Sequence, residues 1–177
     1  MVCRRCIPTE SFLSPKGSLW PSFQNGDIIL AIMASEITAI VKVLGGEKVM
    51  GRKVRTPQDM SSAIREGFPY RVVARFLTSL DLSREELAPS LALSLRTLDR
   101  RLKEGRLDSG ESDRLYRLAR IVTLAEEYLG DHERAVQWLR EPNRVLGGVT
   151  PLSLTDTELG SRQVEQVLGR IAYGGVS

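Results

Sequence analysis

Apolar residues recur along this chain at the spacing of helices, with turn residues between the runs. Ile37, Ile40, Val41 and Leu44 fall at i, i+3, i+4 and i+7, and Gly45-Gly46 stops that helix. Thr56-Pro57-Gln58-Asp59 is a helix start, with Thr56 as N-cap, Pro57 in the first helical position and Asp59 two residues further in. Gly67-Phe68-Pro69 closes that helix and opens another, whose apolar face is Val72, Val73, Phe76, Leu77 and Leu80. Ser83-Arg84-Glu85-Glu86 forms a capping box, followed by a short helix burying Leu87, Ala88 and Leu91. After the connection Ala92-Leu93-Ser94, a second short helix with Ser94 as N-cap is predicted to turn Leu95, Leu98 and Leu102 inward and to end at Gly105. Ser109 is predicted to cap a long helix with a heptad seam of Leu115, Leu118, Val122, Ala125 and Leu129, suited to a partner helix or a second copy. Asp131 caps the next helix, with Ala135, Trp138 and Leu139 inward, and Pro142 ends it. Thr150-Pro151 begins a short turn of helix. A last helix is expected from about Ser161, with Val164, Val167, Leu168 and Ile171 on one face. No segment alternates with period two, so the fold class is all-α.

Residues 1–36 read differently. Pro8, Pro15, Gly17, Pro21, Asn25 and Gly26 interrupt any period, so this stretch is expected to be a poorly ordered extension. Met33-Ala34-Ser35-Glu36 resembles a natural start, and residues 1–32 are expected to be an over-extended start or a dispensable tail.

Composition narrows the class. The 177 residues are 42% hydrophobic and 27% charged, as in a soluble globular protein of one domain or two small ones. No apolar run nears the ~20 residues of a membrane span. The longest, Ile28 to Met33, has six, and no secretory signal is visible, so the expected location is the cytoplasm. Cys3-Arg4-Arg5-Cys6 supplies only two of the four ligands of a closed zinc site. His132 is the single histidine. Without a phosphate-binding glycine loop, a metal cluster or a histidine constellation, an enzyme is disfavoured and no cofactor is expected.

Charge is unevenly spread. The formal charge is +3, made of +1 over residues 1–51, +5 over 52–106 and −3 over 107–177. A basic middle attracts phosphate backbones, and an acidic end is better suited to a protein partner.

The basic middle contains the informative stretch. Two short helices joined by three residues over 83–104 have the pattern of a helix-turn-helix. On its second helix, Arg96, Arg100 and Lys103 line one outward row and Thr97 and Arg101 a neighbouring one. Arginine reads guanine through two parallel hydrogen bonds, and threonine can meet a base edge or a phosphate. Arg84 starts the preceding helix, where a phosphate would sit, and Ser94 caps the reading helix. Ala92 stands where many such turns carry glycine, and Pro89 lies inside the first short helix.

The stretch Ser83-Arg-Glu-Glu-Leu-Ala followed by Leu93-Ser-Leu-Arg-Thr-Leu-Asp-Arg-Arg resembles the Xre-like helix-turn-helix. Gly110 to Ala119, Trp138 to Leu152 with its Pro-Asn-Arg-Val-Leu-Gly-Gly core, Thr157-Glu-Leu-Gly160, and the closing Arg-Ile-Ala-Tyr-Gly come after it. That ordered series, over residues 37–177, resembles the Xre/MbcA/ParS antitoxins of bacterial type II toxin–antitoxin systems. The resemblance implies a DNA-binding region over 37–108 and a helical toxin-binding and dimerisation domain over 109–177. It implies a RES-domain toxin that depletes NAD as partner, operator DNA of the shared operon, and a homodimer within a larger complex. It also implies that the C-terminal end covers the toxin's active site, which here assigns Arg170, Tyr173, Gly174, Gly175, Val176 and Ser177 to toxin binding. The competing reading is a helix-turn-helix regulator with no toxin.

Overall fold

The computed structural model describes residues 25–174. The cysteine pair, the segment 1–24, and Gly175, Val176 and Ser177 therefore lie outside the described residues. Among the described residues there is no β-strand, only the isolated bridges Pro69–Arg106 and Asn143–Val149.

Helix α1 (Asn25–Val43) begins twelve residues before the expected start at Ile37. The sequence explains the correction: no proline or glycine occurs between Gly26 and Gly45, so the turn signal at Asn25-Gly26 marks the beginning of a helix, not the middle of a loop. A short helix α2 (Gly46–Met50) after the Gly45-Gly46 stop was not foreseen. Helices α3 (Pro57–Glu66), α4 (Tyr70–Ser79), α5 (Arg84–Ser90) and α6 (Leu95–Glu104) follow. Ser83 makes the predicted capping box with Glu86, and the Thr56 cap proves to close a box with Asp59 as well.

Helix α7 (Ser109–Leu129) is capped by Asp108, not Ser109: the Asp108 carboxylate accepts from the Glu111 amide, and the Glu111 carboxylate accepts from the Asp108 amide. An aspartate one residue ahead of a serine takes the cap because Glu111 then falls at the third helical position, where the box closes. Helix α8 (His132–Arg140) is capped by Asp131 as expected. A 3-10 turn over Arg144–Leu146 and a 3-10 helix over Pro151–Asp156 lead to α9 (Glu158–Ala172). Helix α9 starts three residues earlier than predicted, because Thr157 accepts from the Gly160 amide. Val164, Val167 and Leu168 of α9 are buried, but Ile171 is exposed, since the helix outruns the core at its end.

Helix α7 is the spine. It packs against α1 and α3 on one side and α8 and α9 on another. Leu115, Leu118, Val122 and Ala125 are fully buried by the chain's own helices. The seam, expected to meet a partner helix or a second copy, is covered by helices of the same chain. One apolar core runs from Ile37 to Leu168. At the crossing onto α9 the fit is tight. A Cβ on Gly160 would stand 2.0 Å from the Leu154 carbonyl oxygen, so only glycine allows this approach.

Polar contacts reinforce the junction. Arg140 of α8 donates to Glu86 at 2.8 Å and to the Asp81 carbonyl at 3.2 Å. The Ser90 hydroxyl of α5 donates to the Leu152 carbonyl at 3.0 Å. Arg120 pairs with Glu165, and Arg117 reaches Glu158 at 3.2 Å, tying α7 to α9.

Candidate functional site

Helices α5 and α6, with the turn Leu91–Ser94 between them, form the two-helix unit predicted from the capping pattern. The turn is held by a left-handed alanine: Ala92 has φ of 50°. This is where glycine was expected, and a Cβ in that conformation costs about 1–2 kcal/mol. Helix α6 begins at the Ser94 cap, whose hydroxyl accepts from the Thr97 amide at 3.1 Å and lies 2.9 Å from the Thr97 hydroxyl. Both hydroxyls therefore serve the helix start first.

The inward face of α6 is narrower than predicted. Leu98 is fully buried, whereas Leu95 is 41% exposed and Leu102 52% exposed. At 3.6 residues per turn they lie about 60° and 40° from Leu98 on one flank, and only the Leu98 line meets the body of the fold. The opposite flank is occupied by Arg101, which was expected to face a ligand. Its guanidinium instead pairs with Glu104, Asp108 and the buried Glu111, each at 2.7 Å. Hydrogen bonds to Glu104 and Glu111 hold its charged form well beyond the ordinary arginine range. Arg101 thus fastens α6 to the start of α7.

Arg84 is also engaged. It pairs with Asp99 across the two-helix unit, and that hydrogen bond stabilises its charged form. Asp99 had not been singled out; its position one turn behind Lys103 gave no sign of it. What remains outward on α6 is a row of Arg96, Arg100 and Lys103, all exposed. Arg100 has only a loose contact to Glu104 at 3.7 Å, and no ion pair holds Arg96 or Lys103 among the described residues. Three cations on the outer face of a capped helix can meet phosphates or guanine edges with only the loose Arg100–Glu104 contact to give up.

The second candidate region is the end of α9. Arg170 is exposed in the last turn, and Tyr173 is 83% exposed. The Tyr173 ring meets Tyr128 of α7 edge to face, with centroids 6.3 Å apart. This contact sets where the tail leaves the body. Gly174 follows with φ of 60°.

His132 is not an idle surface residue. It bridges the Glu126 carboxylate and the Ser79 carbonyl, the latter at 2.7 Å, so α8 is pinned to the end of α4. The hydrogen bond to Glu126 raises its pKa above the usual histidine value, against a smaller opposing effect of burial. Among the described residues no cluster of His, Cys, Asp and Glu converges as for a metal ion, and no helix is long and apolar enough to cross a membrane.

Comparison with known proteins finds two matched domains along the chain. Residues 59–120 match the Xre-like helix-turn-helix domain of antitoxins. Residues 124–174 match the Xre/MbcA/ParS C-terminal toxin-binding domain. An antitoxin Xre of Photorhabdus laumondii is 32% identical over 120 residues, covering 67% of this chain and 81% of that protein. An antitoxin Xre of Pseudomonas putida is 37% identical over 94 residues, covering 52% of this chain and 56% of that protein. A protein of Sphingobium named Prs ADP-ribosylating antitoxin is 27% identical over 129 residues, covering 67% and 81%. With the two matched domains in order and a relative covered over four-fifths of its length, the chain belongs to the Xre/MbcA/ParS antitoxin family.

Proposed function

We propose that this antitoxin neutralises a RES-domain toxin that depletes NAD, and that it represses its own operon through α5 and α6. Neutralisation works by cover: the end of α9 and the tail enter the mouth of the toxin's active site. The observation that carries this reading is the exposed end of α9 within the toxin-binding match, where Tyr173 offers an almost bare ring and Arg170 an exposed guanidinium. A ring with a polar tip stacks in a nucleotide pocket, and a planar fork suits carboxylates lining it. Gly174 and Gly175 let the backbone approach closely; Val176 and Ser177 complete the insert. Operator binding rests on Arg96, Arg100 and Lys103, with Ser94 and Thr97 at the helix start. Arg84 and Arg101 contribute by holding the unit together. The toxin-binding part also carries dimerisation, and the complex works in the cytoplasm, where both NAD and the operon are.

The deciding assay measures NAD loss, and ADP-ribose transfer to protein, by the RES-domain protein encoded beside this chain. Stoichiometric antitoxin is expected to suppress the activity. Removing residues 173–177 is expected to release it while the complex still forms; full suppression by the truncated chain would refute the cover. Arg96→Ala with Arg100→Ala is expected to weaken operator binding in a gel shift and leave neutralisation intact. Binding to DNA with no effect on any toxin would return the protein to the class of simple regulators.

A further inference from the structure

We infer that the phosphate backbone of the operator is gripped a second time, by a basic strip that continues past the end of α6 through Arg106, Arg71, Arg52 and Lys53. It rests on the operator reading above and adds a contact of a different kind, to the backbone and not to the bases. Arg52 and Lys53 precede both matched domains.

The strip is contiguous. The Tyr70 amide donates to the Gly105 carbonyl at 2.9 Å, which sets the start of α4, and Arg71 with it, against the end of α6. Arg106 follows Gly105, forms the isolated bridge with Pro69 and donates to the Glu66 carbonyl at 3.0 Å. Arg52 and Arg106 line one small crevice with Glu66 and Gly67, and Lys53 is next in the chain. Arg71 reaches the same turn from α4. Its Nε donates to the Val49 carbonyl, and its guanidinium lies over Gly51. A Cβ on Gly51 would stand 2.3 Å from Arg71 Nη2, so the bare glycine makes the seat for that cation.

These charges are held but not cancelled. Arg101, Arg117 and Arg120 end on carboxylates elsewhere in the chain. Arg71 and Arg106 end on carbonyl oxygens, which orient a guanidinium and leave its full charge. Lys53, Arg71 and Arg106 are exposed, and no ion pair engages them among the described residues. Only Arg52 is paired, with Glu66 at 2.8 Å. Helix α6 holds four cations and two carboxylates, a net +2 of the +5 over residues 52–106, so the larger share of the excess lies off the reading helix. Fixed, uncompensated cations in a row suit a polyanion, because each phosphate met releases counterions. The row on α6 points to DNA as that polyanion: cations beyond the end of a helix seated in a groove fall on the flanking backbone. Such contacts carry no sequence information, so the strip supplies affinity and register, and α6 supplies choice.

The test uses the full-length chain carrying Lys53→Gln and Arg71→Gln. It is titrated with duplex from upstream of its own gene and with an unrelated duplex, over a range of salt, with melting temperature as the check on folding. Both affinities should fall by the same factor, at least about tenfold near physiological salt, and the slope of log K against log salt should flatten by about 2. Arg96→Ala with Arg100→Ala should instead erase the preference for the upstream duplex. Arg71 also holds the Val49 carbonyl, so two further variants separate charge from fold. Lys53→Glu alone removes no described side-chain bond and should flatten the slope by at least about 1; replacing Arg71→Gln by Arg71→Lys should restore about 1 of what the double variant lost. An unchanged slope in Lys53→Glu or in the double variant overturns the strip. So does loss of self-association with DNA binding intact, which would assign the strip to the acidic C-terminal region of a second copy. Wild-type protein that binds both duplexes equally would refute the operator reading alone, since the variants remain comparable on either duplex; binding to neither would overturn both.

Discussion

Arg101→Met separates two kinds of arginine on one helix. Arg101 is largely buried and touches three carboxylates, of which Glu104 and Asp108 are about half exposed and Glu111 only 3% exposed. The two exposed pairs contribute roughly 0–1 kcal/mol each. The buried one decides the outcome, because removing one partner leaves a carboxylate short of water and of charge. The usual cost is about 3–5 kcal/mol. Here Glu111 keeps the Asp108 amide as a donor at 2.8 Å, which reduces the loss to about 2 kcal/mol by the scale of a charged hydrogen bond. For a chain of this size that lowers the melting temperature by about 4–8 °C. Circular dichroism melts of the wild type, Arg101→Met, Arg96→Met and the double variant Arg101→Met with Glu111→Gln would read it. Arg96→Met should melt with the wild type. The double variant should recover part of the loss, since no lone buried carboxylate remains. An Arg101→Met melt within about 1 °C of the wild type, or a double variant worse than the single, would refute the assignment of Arg101 to the fold.

Three further outcomes follow from particular contacts. Ala92→Gly relieves the left-handed alanine and should raise stability by about 0.5–1 kcal/mol in denaturant titration, after the greater chain entropy of glycine is subtracted. Gly160→Ala places a Cβ against the Leu154 carbonyl and should cost about 2 kcal/mol or more, with faster proteolysis of the C-terminal helix. His132 is more easily protonated in the folded chain than in the unfolded one. Its contribution is therefore complete below the ordinary histidine value near 6.5 and fades as pH rises through the higher folded value. His132→Gln should flatten that part of the stability profile, and an unchanged slope in melts across the neutral range would count against the Glu126 bridge.

What was legible in the sequence were starts, stops and periods. Thr56, Ser83, Ser94 and Asp131 cap as read, because capping is set by residues three apart and needs no tertiary knowledge. Ile37, Ile40, Val41 and Leu44 are buried as read, since a helix on the core must turn its apolar stripe inward. Leu95 and Leu102 misled because period alone does not say how wide a strip the neighbours cover. Arg101 misled for a related reason: an arginine bound for three carboxylates and one bound for DNA share the same residue type and spacing. Glu111, the buried partner of Arg101, and Asp99, the partner of Arg84, each come from another helix, so the difference is tertiary.

The same contacts decide how the two activities can be pulled apart. Arg140 of α8 holds Glu86, the residue that closes the capping box of α5. Hydrogen bonds from the Ser83 cap, with smaller help from Arg140, keep that carboxylate ionised below the usual glutamate range. The toxin-binding segment is therefore part of what holds the first helix of the DNA-binding unit. Cutting the chain between α7 and α8 would strip Ala135, Leu139, Val164 and Leu168 from the core that α7 shares with α1 and α3. Such a fragment would lose DNA binding through unfolding, and the result would say nothing about division of labour. Surface changes avoid that confusion. Arg96 and Arg100 on α6, and Tyr173 and Gly174 after α9, lie outside the core, and Tyr173 makes an edge-to-face contact with Tyr128. On the proposed reading the two functions fall on faces of one packed body, and separation-of-function variants are chosen by exposure, not by position along the chain.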